Sequence, residues 1–146
     1  MHQFIEFVSH HWLLSSLFVI FFIWLIIEEA KSKGLGNQIT PQKLTYLINR
    51  DEVKILDIRD AQIYRDGHII GAINIPGDQI DQDINKLQKY KKQLLVVVCI
   101  RGQEAMKIVT KLRNQGFEQV QVLAGGMNAW NSADMPSVKG NKNGKN

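Results

Sequence analysis

The chain has 146 residues, which is enough for one domain, and 45% of them are hydrophobic. Its formal net charge of +4 comes largely from the last eight residues, KGNKNGKN, because the remainder holds 15 basic and 14 acidic residues. The remainder is nearly neutral and has no interleaved aromatic and basic residues, so nucleic-acid binding is not expected. The tail at 139–146 is typical of a disordered end.

An apolar stretch dominates the amino-terminal region, residues 1–30. No Asp, Glu, Lys or Arg occurs from Phe7 to Ile27, and at about 1.5 Å per residue a helix of this length reaches roughly 30 Å, the thickness of a bilayer core. A cleaved signal peptide is the alternative. A signal peptide has a basic start and small residues at its cleavage site. This chain has no basic residue before the apolar stretch, and Glu28 and Glu29 follow it, so we expect one uncleaved transmembrane helix at about residues 7–27.

Positive charge beside the apolar stretch predicts its orientation. No Lys or Arg precedes it, whereas Lys31, Lys33 and Lys43 follow it. The positive-inside rule then places the amino terminus outside and the carboxyl-terminal part in the cytoplasm, as a single-pass protein of the inner (plasma) membrane. A single, unpaired cysteine also suits a reducing compartment.

Strand and helix patterns alternate after a short tether at residues 31–38. Thr40 and Pro41 predict a helix start, because a hydroxyl can cap the helix and proline suits its first position. Repeated strand-helix units imply an α/β domain at residues 39–138, with a mostly parallel central sheet and helices on both faces. Strands are predicted at Val53–Ile58, at Leu94–Val98 and at Val120–Leu123, with a further brief strand within the segment GHIIGAINIPGDQI, residues 67–80, and a helix is predicted at Asp81–Tyr90.

The run LLVVVCIRGQEA places the cysteine of this chain at the end of a buried strand. Leu94–Val98 is apolar and rich in β-branched residues, as central parallel strands are, and Cys99 follows where α/β sheets bind their ligands. Helical spacing resumes at Ala105, so the loop leads into a helix amino terminus that favours a thiolate or an anionic ligand. The alternative for Cys99 is a buried residue that only packs.

Three sequence blocks together resemble a single rhodanese-like domain. The first, ILDIRDAQIYRDGHIIGAINIP, is similar to the amino-terminal signature of that family, and the third, GFEQVQVLAGGMNAW, is similar to its carboxyl-terminal signature. Between them, VVVCIRGQEA places Cys99 at the family's nucleophile position. The resemblance covers about residues 39–137 and implies a rhodanese-like fold. With the apolar segment in front, the chain resembles the small membrane-anchored, single-domain rhodanese-like proteins of bacteria.

The resemblance implies a sulfurtransferase. In such a protein, Cys99 takes a sulfane sulfur from a small donor, thiosulfate or a persulfide, and passes it to a thiol or protein acceptor. The expected anchor leaves room for a membrane-protein partner, and no metal, cofactor or nucleic acid is expected. The substrate-binding loop is expected to comprise Ile100, Arg101, Gly102, Gln103, Glu104 and Ala105.

Glu104 departs from the family pattern. Members that act on thiosulfate often have an arginine five residues after the cysteine, where this chain has Glu104. A carboxylate there disfavours a thiolate and an anionic donor, unless it is a solvent-facing residue of the first helical turn. A second interpretation therefore stays open, a catalytically weak or silent binding module tethered to the inner membrane. A phosphatase of the Cys-x5-Arg kind is disfavoured, since Ala105 stands where the phosphate-binding arginine belongs.

Asp57, Arg59 and His68 are predicted to support the site rather than to react. Asp57 and Arg59 lie two residues apart at a strand end and therefore share a face, which favours a structural ion pair. His68, between Gly67 and Ile69, is expected to be a hydrogen-bonded structural residue rather than a general base.

Overall fold

A computed structural model describes residues 12–35 and 37–140 of the chain. The chain divides into two units, Met1–Gly36 and Asn37–Asn146. The predicted disordered tail at 139–146 falls outside the described residues from position 141 onward.

One long helix, α1 (Trp12–Leu35), forms the described part of the first unit. Its large apolar side chains are exposed, for example Phe18 at 66% and Ile20 at 65%. The uncharged part of the described helix, Trp12 to Ile27, reaches only about 24 Å at a rise of about 1.5 Å per residue. No helix in the described ranges is long and apolar enough to cross a membrane, so the predicted transmembrane helix is not supported there. The first residues of that prediction, 7–11, lie outside the described part.

Helix α1 also continues into the segment that the sequence predicts as a flexible tether. Residues 31–35 belong to the helix, although they include Gly34. One glycine lowers helix stability by only about 1 kcal/mol relative to alanine, so a single glycine does not by itself end a helix.

Five parallel strands form the sheet of the second unit, in the order β1-β5-β4-β2-β3. The predicted α/β fold is confirmed, and one short edge strand, β1, adds to the predicted strands because two residues leave no periodic signal. The strands are β1 (Gln38–Ile39), β2 (Val53–Asp57), β3 (Ala72–Asn74), β4 (Leu94–Val98) and β5 (Val120–Leu123). The helices are α2 (Pro41–Asn49), α3 (Ala61–Asp66), α4 (Ile80–Asp83), a 3₁₀ helix (Ile84–Tyr90), α5 (Gln103–Asn114) and α6 (Gly126–Ser132).

The two faces of β4 pack into two separate hydrophobic cores. Leu95, Val97 and Cys99 point to one face and pack with residues of α5, the 3₁₀ helix and α4. Val96 and Val98 point to the other face and pack with residues of α2, α3 and α6. Alternation along a strand explains this division. The thiol of Cys99 therefore lies on the α5 side of the sheet.

The predicted helix at Asp81–Tyr90 begins as α4 and continues as a 3₁₀ helix. The core-facing residues Ile84, Leu87 and Tyr90 recur every three residues. A 3₁₀ helix has three residues per turn, so this spacing places all three side chains on one face. The predicted start of α2 is confirmed, because Thr40 Oγ1 accepts a hydrogen bond from Lys43 N at 3.3 Å and Pro41 takes the first helical position.

Candidate active site

Cys99 lies between the carboxyl end of β4 and the start of α5. The residue is only 2% exposed, and its Sγ accepts a hydrogen bond from the backbone N–H of Gly102 at 2.9 Å. Gly102 adopts a left-handed conformation, with φ of 95°, and directly precedes α5. The turn thus aims a donor at the amino end of a helix toward the sulfur, an arrangement that stabilises negative charge there.

A pocket of about 270 Å³ opens above the thiol. Two of the six predicted loop residues do not line this pocket: Gly102 donates to the sulfur, and Ala105 is fully buried in the α5-side core. The structure therefore brings the other four predicted loop residues, together with Cys99, to one cavity. The lining residues are Cys99, Ile100, Arg101, Gln103 and Glu104.

The start of α6 holds the loop from behind. The N–H groups of Met127 and Asn128 donate to the carbonyl oxygens of Cys99 and Ile100, at 2.9 and 3.1 Å. These two carbonyl oxygens are therefore bound to α6 and do not lie free beside the thiol. A Cβ atom on Gly126 would stand 2.4 Å from the Cys99 oxygen and 2.6 Å from the Ile100 oxygen. Only glycine permits this contact.

Sequence reasoning predicted Gly125 and Gly126 as a turn and missed their contact with the loop. The contact joins residues 27 positions apart in the chain, Cys99 and Gly126, and no local pattern encodes such a pairing. The one available signal was the pair of adjacent glycines, both of which have positive φ.

Two opposite charges stand at the pocket, Arg101 and Glu104. Both side chains are exposed, and neither forms an ion pair or side-chain hydrogen bond with another residue of the described ranges. Glu104 lies in the first turn of α5, where the helix dipole favours an acidic residue. The two sequence-based alternatives for Glu104 therefore hold together, since it faces solvent and also lines the pocket.

Asp57 and Arg59 form a buried ion pair beside the site. Arg59 Nη2 lies 2.6 Å from Asp57 Oδ2 and also donates to the carbonyl oxygen of Gly67 at 2.8 Å. Asp57 is 1% exposed and Arg59 is 8% exposed. The side chain of Asn74 adds donors to the carbonyl oxygens of both residues. This network ties the end of β2 to β3 and to the loop after α3, and it does not line the thiol pocket.

His68 is fully buried and also lies outside the thiol pocket. Its Nδ1 hydrogen-bonds to the carbonyl oxygen of Tyr64 at 2.8 Å, and the two rings stack with centroids 3.7 Å apart. Its Nε2 has no hydrogen-bond partner in the described part of the chain. Burial and the nearby carboxylate of Asp57 raise the pKa of Tyr64, whose hydroxyl donates to the carbonyl oxygen of Ala72 at 2.6 Å. Both rings contribute to the structure of the domain.

Comparison with known proteins agrees with this geometry. Residues 40–133 match the family model of the Rhodanese-like domain. The chain is 30% identical to the uncharacterized protein YibN of Escherichia coli K12, over 96% of this chain and 99% of YibN. It is 32% identical to the thiosulfate sulfurtransferase GlpE of Shewanella oneidensis, over 66% and 93% of the two chains. The crystal structure of a rhodanese-like domain protein from Staphylococcus aureus is similar, with 29% identity, a TM-score of 0.59 and coverage of 64% and 90%.

The contact between α6 and the loop predicts the effect of a methyl group at position 126. Gly126→Ala should lower the free energy of unfolding by about 1–3 kcal/mol through overpacking, and loosening of the loop should speed the alkylation of Cys99 by iodoacetamide. Urea unfolding and alkylation rates measure both effects. Gly71→Ala is the matched control, because Gly71 also has positive φ but has no atom within 4 Å of an added Cβ. An alkylation rate in Gly126→Ala no faster than that in Gly71→Ala would contradict the role of this contact.

Proposed function

Because the chain belongs to the rhodanese-like domain family, we propose that it is a sulfurtransferase that carries a sulfane sulfur as a persulfide on Cys99. The observation that carries the proposal is the position of the Cys99 sulfur, which lines a pocket and accepts the Gly102 N–H at 2.9 Å. The likeness to GlpE, which is a thiosulfate sulfurtransferase, supports the same class of reaction.

The proposed reaction has two half-steps. In the first, the Cys99 thiolate attacks the outer sulfur of thiosulfate, the sulfur–sulfur bond of the donor breaks, and sulfite leaves with the bonding electron pair. The enzyme then holds the transferred sulfur as a persulfide. In the second step, the thiolate of a small or protein acceptor attacks that outer sulfur, and the Cys99 thiolate leaves. No external oxidant or reductant is needed, because each step exchanges one sulfur–sulfur bond for another.

The loop supplies the electrostatic part of the proposed mechanism. The Gly102 N–H and the positive end of the α5 dipole favour negative charge on sulfur, both on the thiolate and on the persulfide. Arg101 attracts an anionic donor to the pocket, and Glu104 repels it. The balance of these two side chains then decides how well a dianion such as thiosulfate reacts.

Cys99 is expected to be the residue that carries the sulfur. After treatment with thiosulfate or a small persulfide, the intact chain should gain the mass of one sulfur atom. Cys99→Ser should fold normally and gain none, because the serine hydroxyl cannot form a persulfide and no other cysteine exists in the sequence. Mass spectrometry gives the readout. Cyanide-dependent thiocyanate production that survived in Cys99→Ser would refute the mechanism.

Glu104 is expected to limit turnover with thiosulfate. Two unit charges about 6 Å apart interact by roughly 3 kcal/mol at an effective dielectric constant of about 20, and solvent reduces this value. About 1.4 kcal/mol already corresponds to a tenfold change in rate. Glu104→Arg should therefore raise thiosulfate turnover about tenfold or more, and Glu104→Gln should raise it less. Thiocyanate production measures both variants.

Glu118→Gln provides the control for this charge change, because Glu118 is exposed and lies outside the pocket. It should leave thiosulfate turnover unchanged. Substantial turnover that did not change in either Glu104 variant would show that the carboxylate does not affect the donor. Negligible turnover in the wild type and in every variant would instead favour the alternative, a silent binding module.

For the location, we propose the inner (plasma) membrane, with the amino terminus outside and the rhodanese-like domain in the cytoplasm. The support is the absence of Lys and Arg before Lys31, the presence of Lys31, Lys33 and Lys43 after the apolar stretch, and the exposed apolar side chains of α1. A cytoplasmic reporter fused to the carboxyl terminus should be active, and the chain should sediment with membranes. Recovery in the soluble fraction, or activity of a periplasmic reporter instead, would contradict the proposal.

A further inference from the structure

The charges at the mouth of the Cys99 pocket point to the kind of donor that it accepts. Arg101 and Glu104 both line the pocket, both are exposed, and neither has an ionic partner among the residues that the structure describes. A pocket with one free cation and one free anion does not match a dianion such as thiosulfate, because one of its two charges repels that donor. It matches a ligand that carries both signs of charge.

We propose that the preferred sulfur donor is a zwitterionic small-molecule hydropersulfide, a compound R–S–SH whose carbon skeleton bears an ammonium group and a carboxylate, as in the persulfide of an amino-acid thiol. This inference rests on the proposed sulfurtransferase function and adds the substrate class. The carboxylate of the donor pairs with the Arg101 guanidinium, which can bind it through two parallel N–H donors. The ammonium group pairs with the Glu104 carboxylate.

The size and lining of the pocket fit such a donor. Its volume of about 270 Å³ lies just below the range of about 300–1,000 Å³ for pockets that hold drug-sized ligands, so a molecule of amino-acid size is the better match. Ile100 contributes apolar surface for the methylene group that links the charged end to the sulfur, and Gln103 contributes an amide that can donate or accept.

The chemistry of the transfer balances without any further reactant. The Cys99 thiolate attacks the terminal sulfur of R–S–SH and forms the new sulfur–sulfur bond. The sulfur–sulfur bond of the donor breaks, and R–S⁻ leaves with the electron pair and takes a proton from solvent when it is released. Cys99 then carries S–SH, and the donor is left as the ordinary thiol. The thiolate that leaves carries an ammonium group, which the Glu104 carboxylate attracts. Sulfite, the leaving group of thiosulfate, carries two negative charges, which the same carboxylate repels.

A panel of four donors tests this assignment on the full chain. Three hydropersulfides share the S–S–H group on a two-carbon chain and differ in the charged groups that this chain bears. The cysteine derivative bears an ammonium and a carboxylate, the cysteamine derivative bears only the ammonium, and the 3-mercaptopropionate derivative bears only the carboxylate. Thiosulfate is the fourth donor. The readout is the rate at which Cys99 gains one sulfur atom by mass spectrometry. In the wild type the zwitterion should react fastest, by about tenfold over 3-mercaptopropionate persulfide, the gain expected from one charge-assisted hydrogen bond.

Variants at position 104 should change the rates in opposite directions. Glu104→Gln should slow the two ammonium-bearing donors by about tenfold and speed thiosulfate. A general disturbance of the loop would slow every donor, so this change of sign separates donor recognition from structure. Arg101→Gln should slow the two carboxylate-bearing persulfides and thiosulfate while sparing cysteamine persulfide. Glu118→Gln and Arg65→Gln, which make the same charge changes at exposed positions outside the pocket, should leave all four rates unchanged.

Two results would overturn the inference, and they differ from each other. Equal rates for the three hydropersulfides, or faster loading of the zwitterion in Glu104→Gln, would refute the donor class and leave the sulfurtransferase function in place. Failure of all four donors to add sulfur to Cys99 would refute the proposed function itself, and the donor class with it.

Discussion

The geometry of the site depends on one contact, the docking of the α6 amino terminus against the Cys99 loop. Strand β4 delivers the cysteine to the sheet edge, but a strand end alone does not orient the next three peptide groups. The hydrogen bonds from Met127 and Asn128 to the Cys99 and Ile100 carbonyls do so. With those two oxygens bound on one side, the chain turns through Gly102 and its N–H points to the sulfur. Gly126 makes the contact possible, because any Cβ atom there would overlap both oxygens.

The buried Asp57–Arg59 pair performs a comparable task on the neighbouring strand. Both charges are removed from water, and the loss of their hydration opposes folding. The donors and acceptors of the two side chains that the ion pair does not use must therefore find other hydrogen-bond partners. The backbone N–H of Arg59 and the carbonyl oxygen of Gly67 meet part of it. A pair of this kind contributes less to net stability than to a fixed geometry. It holds the end of β2, which lies beside β4, and thereby supports the edge from which the Cys99 loop begins.

The sequence predicted the parts of this molecule that have a local signal. The parallel sheet follows from short apolar runs such as Leu94–Val98, and the position of Cys99 follows from the strand that ends before it. The ion pair follows from two charged residues that share a strand face. Other features depend on contacts between distant parts of the chain, or on segments that are too short or too incompletely described to be assigned. The Gly126 contact joins segments far apart in the chain, β1 is too short to show a period, and the expected 7–27 span depends on residues of which only 12–27 are described.

The near-complete burial of Cys99 has a consequence for both halves of the proposed reaction. Cys99 is 2% exposed, so a donor and an acceptor must both reach its sulfur through the pocket that Arg101 and Glu104 line. Any charge selection made there acts twice, first on the molecule that brings sulfur and then on the thiolate that removes it. A persulfide on Cys99 is correspondingly shielded from thiols whose charge or bulk does not suit the mouth. Under the proposed function, Arg101 and Glu104 therefore protect the carried sulfur as well as select the donor. A suitable acceptor must carry positive charge near its thiolate, because the Glu104 carboxylate repels negative charge.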